Sequence, residues 1–97
     1  MDATFVGIDV SKDWLDVHVL PSGEAFRVGN DAGGHERLNE RLAALRPQRV
    51  GLEATGGLET AVAAGLAGAR VPVVVLNPAQ VRSFAHAMGK RAKTDPL

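Results

Sequence analysis

Phe5-Val6-Gly7-Ile8-Asp9-Val10-Ser11-Lys12-Asp13-Trp14-Leu15-Asp16-Val17-His18-Val19-Leu20 contains two alternating runs joined by a very short link. Thr4 to Ser11 reads as a strand with Val6, Ile8 and Val10 on one side and Gly7, Asp9 and Ser11 on the other. Trp14 to Leu20 alternates again, with Leu15, Val17 and Val19 opposed to Asp16 and His18. Lys12-Asp13 is short enough for a hairpin, so the two strands are expected to be antiparallel neighbours. Pro21-Ser22-Gly23 is a turn, and Glu24 to Val28 continues the meander as a third strand.

Beyond this meander the period changes. Asn30 or Asp31 can cap a helix running to about Leu45, with Leu38, Leu42 and Leu45 on one face and Pro47 past its end. Arg49 to Ala54 is a strand. Thr55 or Gly56 opens a second helix with Leu58, Val62 and Leu66 in register, closing near Gly68. Val71 to Leu76 is wholly apolar, as in a buried parallel strand. Asn77 as N-cap, Pro78 at the first helical position and Gln80 as capping-box partner start a third helix. Val81, Phe84, Ala85 and Met88 give it an apolar stripe, and Gly89 ends it. The order β-β-β-α-β-α-β-α predicts one α/β domain with a mixed five-stranded sheet. The first strand would be central, with the fourth and fifth parallel to it. That is the ribonuclease-H-like order.

Composition bounds the rest. At 97 residues with 45% hydrophobic side chains, the chain suits a single soluble domain. It has no cysteine, which excludes disulfides and thiolate metal sites. No signal peptide is visible, and the longest apolar run is far too short to span a membrane, so a cytoplasmic location is expected. Net charge is zero but uneven. Residues 1–20 hold Asp2, Asp9, Asp13 and Asp16 against Lys12, while residues 81–97 hold Arg82, Lys90, Arg91 and Lys93 against Asp95. That distribution allows a cationic face beside an acidic pocket.

Three acids stand out. Asp9 and Glu53 each interrupt an apolar strand, and Asp95 follows the basic run Lys90-Arg91-Ala92-Lys93. Acids are seldom buried unless paired or bound to a cation. On adjacent parallel strands roughly 4.8 Å apart, Asp9 and Glu53 could share one divalent ion, which oxygen-only ligands would bias to Mg²⁺ or Mn²⁺. Taken singly, either acid could instead cap a helix or meet solvent, and Glu53 has a specific rival role at the helix opening Thr55-Gly56-Gly57. Together they point to metal-dependent phosphoryl transfer. Lys90, Arg91 and Lys93 are candidate contacts to a nucleic-acid backbone, and Lys12 is either such a contact or an exposed turn residue. His18, His35 and His86 show no ligand spacing, Trp14 suits sheet cover or an oligomer contact, and Glu36, Arg37, Glu40 and Arg41 form a charged helix face.

The segments FVGIDVSKDWLDVHV (5–19), VGLEATGG (50–57) and LNPAQVRSFAHAMGKRAKTDPL (76–97) resemble the N-terminal domain of the DEDD-type insertion-sequence transposases. These are similar to Piv-type DNA invertases, and their catalytic domain resembles RuvC resolvases. The resemblance implies that Asp9, Glu53 and Asp95 match the first three acids of a metal-binding tetrad. The fourth would follow directly after Leu97, so the chain reads as a truncated N-terminal domain, inactive in isolation. Also implied are a C-terminal domain carrying a nucleophilic serine, DNA as substrate, a structured guide RNA and a homo-oligomer. Ser11, Ser22 and Ser83 lie in no matching motif. Two alternatives stand beside the recombinase reading. One is a non-enzymatic nucleic-acid-binding or dimerisation module. The other is a kinase-like ATPase core, which needs a glycine-rich phosphate hairpin that residues 9–14 lack.

Overall fold

Alternation of apolar and polar side chains organises the first half of the molecule. In the computed structural model, which describes residues 3–53, 55–77 and 79–80, β1 (Phe5–Val10), β2 (Trp14–Leu20) and β3 (Ala25–Gly29) form an antiparallel meander. Helix α1 (Ala32–Leu45) leads to β4 (Arg49–Glu53), which pairs parallel with β1. Helix α2 (Thr60–Gly68) leads to β5 (Val73–Leu76), parallel with β4. The sheet order is β3-β2-β1-β4-β5. The central place of β1, its antiparallel partner β2 and its parallel partner β4 are as the sequence predicts.

One face of this sheet carries the core. Val6, Ile8 and Val10 of β1, Leu15, Val17 and Val19 of β2, and Val50 and Leu52 of β4 are buried together with Leu38 and Leu42 of α1 and Val62 and Leu66 of α2. Each buried Val or Leu contributes roughly 1.5–3 kcal/mol relative to exposure, so this face fixes the register of every strand. A slip of one residue would turn the whole apolar set outward.

Helix α1 is anchored at both ends. The Asp31 Oδ1 accepts from the Gly34 N–H at 2.7 Å, and Arg46 takes a left-handed φ of 49° and donates its N–H to the Leu42 carbonyl. Gly34 allows the helix to touch β3, because a Cβ there would lie 1.7 Å from the Gly29 carbonyl oxygen. Arg41, expected on a merely solvated face, pairs with Glu24 and lies 4.2 Å from the Phe26 ring centre, tying α1 to the β3 side of the sheet.

Two expectations change. The second helix begins at Thr60, five residues later than the earlier of its two expected starts, and Leu58 is 43% exposed instead of packing with Val62 and Leu66. Gly56 and Gly57 adopt φ of 67° and 106°, which breaks the helical path. The Glu59 carboxylate then accepts from the Thr55 and Gly57 N–H groups at 2.9 and 3.1 Å. The apolar strand is shorter than predicted, starting at Val73, and its Val75 is 45% exposed. Its continuous valine run reflects a position at the end of the strand order, partly covered, not a fully buried one.

The expected capping box is present. Asn77 Oδ1 accepts from the Gln80 N–H at 2.8 Å, while Gln80 Oε1 accepts from the Asn77 N–H at 3.0 Å. The apolar stripe at Val81, Phe84, Ala85 and Met88 and the closing Gly89 lie outside the described residues. No helix among the described residues is long and apolar enough to cross a membrane.

Candidate active site

The sheet face opposite α1 and α2 carries the polar half of each alternating strand. Register aligns its charges in a row. Asp9 of β1 lies directly across from Asp16 of β2, and Asp16 lies across from Arg27 of β3. On the other side, the β1–β4 ladder pairs Ile8 with Leu52, so Asp9 and Glu53 are the next residues of two adjacent parallel strands. Ile8 and Leu52 point into the core. Asp9 and Glu53 therefore share the opposite face.

Their neighbours decide which acids are free. Two carboxylates facing each other across a strand pair repel, and Arg27 relieves this by binding Asp16 twice, Nε to Oδ1 at 2.8 Å and Nη2 to Oδ2 at 3.2 Å. That hydrogen-bonded guanidinium holds the Asp16 carboxyl below its ordinary range. Arg27 also stands 5.1 Å from the ring centre of Trp14, which is 47% exposed on the same face. Asp9 keeps a 56% exposed side chain. Its ionic neighbour is His18, whose Nε2 lies 3.7 Å from Oδ2, beyond hydrogen-bond length. Glu53 makes no ion pair or side-chain hydrogen bond among the described residues.

The surface beside Asp9 is open. A depression of about 460 Å³ is lined by Asp9, Asp16, His18 and Arg27, with Ala25, Phe26 and Val17 beneath. Gly7 lies across from His18, and a Cβ built on it would meet nothing within 4 Å.

The rival role of Glu53 is taken by another residue. The turn amides that would attract an anion are held by Glu59, and its carboxyl is lowered by the Thr55 N–H foremost. Among the described residues Glu53 is left unengaged. The donor set fits a hard divalent cation, since Asp9 and Glu53 both offer carboxylate oxygens. Among the described residues, no three side chains of the metal-binding types converge, so Asp9 and Glu53 offer only part of a coordination shell. Asp95, Lys90, Arg91, Lys93 and His86 lie outside the described residues. Lys12 is exposed in the turn between β1 and β2.

That turn also bears on the ATPase alternative. Ser11 closes it tightly, its Oγ donating to the Trp14 carbonyl at 3.0 Å and accepting from the Trp14 N–H at 3.2 Å. It forms no glycine-lined phosphate hairpin. Sequence reasoning missed the Arg27–Asp16 pair, which only the β2–β3 register reveals. It also missed the hydrogen bonds of Asn30, one of the two expected N-caps, to the Ser11 and Leu58 carbonyls.

A transposase family model matches residues 6–97. The chain belongs to the DEDD transposase family. No curated protein matches it by sequence. Among solved structures, RuvC of Thermus thermophilus bound to a Holliday junction substrate superposes with a TM-score of 0.64 at 20% identity, covering 99% of this chain and 82% of that one. A second Thermus thermophilus RuvC structure gives 0.61 at 23% identity, covering 94% and 72%. The fold of this transposase-family chain is thus RuvC-like, within the ribonuclease-H-like class, as its element order predicts.

Proposed function

We propose that this domain is the metal-dependent catalytic domain of a DNA transposase, cutting and rejoining DNA strands. The observation that carries this reading is the pair of carboxylates Asp9 and Glu53, each next after the last mutually paired residues of two adjacent parallel strands, with His18 beside Asp9 at 3.7 Å and no ion pair on Glu53 among the described residues. Together with Asp95 they would hold Mg²⁺ or Mn²⁺. Such an ion supplies Lewis-acid stabilisation of the attacking and leaving oxygens of phosphoryl transfer.

The chain's own residues have separate tasks in this reading. Asp9 and Glu53 present fixed anionic oxygens from rigid strands. Arg27 holds Asp16 in a two-point pair, leaving Asp9 beside the more distant His18 at 3.7 Å. Lys90, Arg91 and Lys93, with Lys12, would contact the phosphate backbone independently of sequence. DNA is the substrate, and a structured guide RNA and a homo-oligomer belong to the same proposal. The RuvC relative was solved with a Holliday junction, and a four-way junction is a suitable first substrate to try.

The test is cleavage of labelled DNA in Mg²⁺ or Mn²⁺ by a full-length transposase carrying this domain. Asp9→Asn and Glu53→Gln should each lower the rate by more than about 100-fold, the upper end for removing a mere outer partner of a metal ligand. Arg27→Met should retain most of the activity. Wild-type rates in Asp9→Asn, with folding intact by circular dichroism, would overturn the reading.

A further inference from the structure

The β1–β4 ladder ends at Ile8 and Leu52, so Asp9 and Glu53 each keep a partner on the outer side, Asp16 and Leu76, but are not joined to each other by backbone pairing. Beyond the last rung of a ladder no shared backbone bond holds two neighbouring strands at one spacing. Something has to keep them at a fixed separation if they are to share one cation. Asn30, in the β3–α1 connection, reaches both loops. Its Nδ2 donates to the Ser11 carbonyl at 2.8 Å, two residues after Asp9, and to the Leu58 carbonyl at 3.4 Å, five residues after Glu53. Its backbone N–H donates to the Asp13 carbonyl at 2.9 Å.

The amide is itself oriented. Both Nδ2 bonds are donations to carbonyls, so Oδ1 must be the acceptor in the 2.7 Å bond with His35 Nε2, which fixes the protonated nitrogen of that imidazole. His35 sits on the first turn of α1, and the turn is immobilised by the Asp31 cap and by the close approach of Gly34 to Gly29. A rigid helix terminus therefore sets the amide, and the amide sets two loops.

We propose that Asn30, oriented by His35, is a positioning residue that couples the loops following the two acid-bearing strands and so fixes the spacing of Asp9 and Glu53 for metal binding. The metal part rests on the proposed function above. The clamp itself rests on the hydrogen bonds alone.

Two measurements on the purified protein separate these. The first is Mn²⁺ titration by calorimetry. Asn30→Ala should weaken binding by about tenfold, in the range seen when an outer support of a metal ligand is removed. Val19→Ala, a core truncation at the far end of the sheet, should leave affinity unchanged despite its own loss of stability. His35→Ala should weaken binding in the same direction, and His35→Gln, which keeps a donor to Oδ1, should restore it. The second is amide hydrogen exchange, which should accelerate in residues 11–14 and 55–59 together in Asn30→Ala and in neither loop in Val19→Ala. Wild-type Mn²⁺ affinity in Asn30→Ala, or equal weakening in Val19→Ala, would overturn the positioning role. Faster exchange in only one loop would overturn the clamp. Should Asp9→Asn bind Mn²⁺ as wild type does, the metal reading falls, and the exchange result alone decides the clamp.

Discussion

Arg27 illustrates how one side chain assigns roles to others. By binding Asp16 it removes that acid from contention but not Asp9, although both face the same surface from opposed positions. The pair also predicts a pH effect. Because Asp16 titrates lower in the folded protein than when unfolded, its contribution is fully present above the ordinary carboxylate range of about 4. It is lost as pH falls through the depressed folded value. Thermal melts from pH 7 down to pH 3 should show a smaller decline below about pH 4 in Arg27→Met than in wild type. A steeper decline would mean that Asp16 is stabilised by something else. Asn39 offers a second residue-scale expectation. Its Oδ1 is buried without a hydrogen-bond partner among the described residues. Asn39→Leu should raise stability by about 1 kcal/mol, read as a higher Tm, and a lower Tm would reveal a partner for that oxygen.

Among the elements, those with an uninterrupted local signal were legible in the sequence. Trp14–Leu20 is a strand over the span its alternation marks, and Asp31, one of two expected caps, starts α1. The start of α2 was not legible, because Leu58, Val62 and Leu66 keep helical spacing across a stretch that two positive-φ glycines turn away from the helix. Glu59 completes that turn by reaching two and four residues back, a local hydrogen bond competing with helix formation. The candidate site was legible in part. Parity gave the face of Asp9 and Glu53, but the cross-strand partner of Asp16 and the reach of Asn30 depend on register and on loops meeting in space. The tightest approach between elements gives a stability prediction. Gly34→Ala would drive a methyl group against the Gly29 backbone, where no side chain can rotate aside. We expect α1 to lift from β3, at a cost of about 3 kcal/mol or more, visible as a lowered denaturant midpoint. A neutral Gly34→Ala would show that α1 can shift along the sheet.

At the scale of the whole molecule, the chain has zero net charge, yet it belongs to a transposase family, so distribution must do what total charge cannot. The carboxylates Asp9 and Glu53 lie on adjacent strands, β1 and β4, and a phosphate backbone brought there would be repelled unless a cation and basic side chains offset it. The sequence concentrates those side chains in one place, with Lys90, Arg91 and Lys93 leading into Asp95. The carboxylates and the basic segment should therefore separate in their effects. In fluorescence anisotropy with a labelled duplex, replacing the three basic residues by alanine should weaken binding equally for unrelated sequences. It should also flatten the dependence of log affinity on log salt, by up to about 0.9 for each phosphate no longer neutralised. Asp9→Asn should leave that slope unchanged and, without divalent metal, should strengthen binding by removing a repulsive charge. If the triple variant retains the wild-type salt slope, the basic segment does not meet the backbone, and the cationic groups that do must lie elsewhere on the domain.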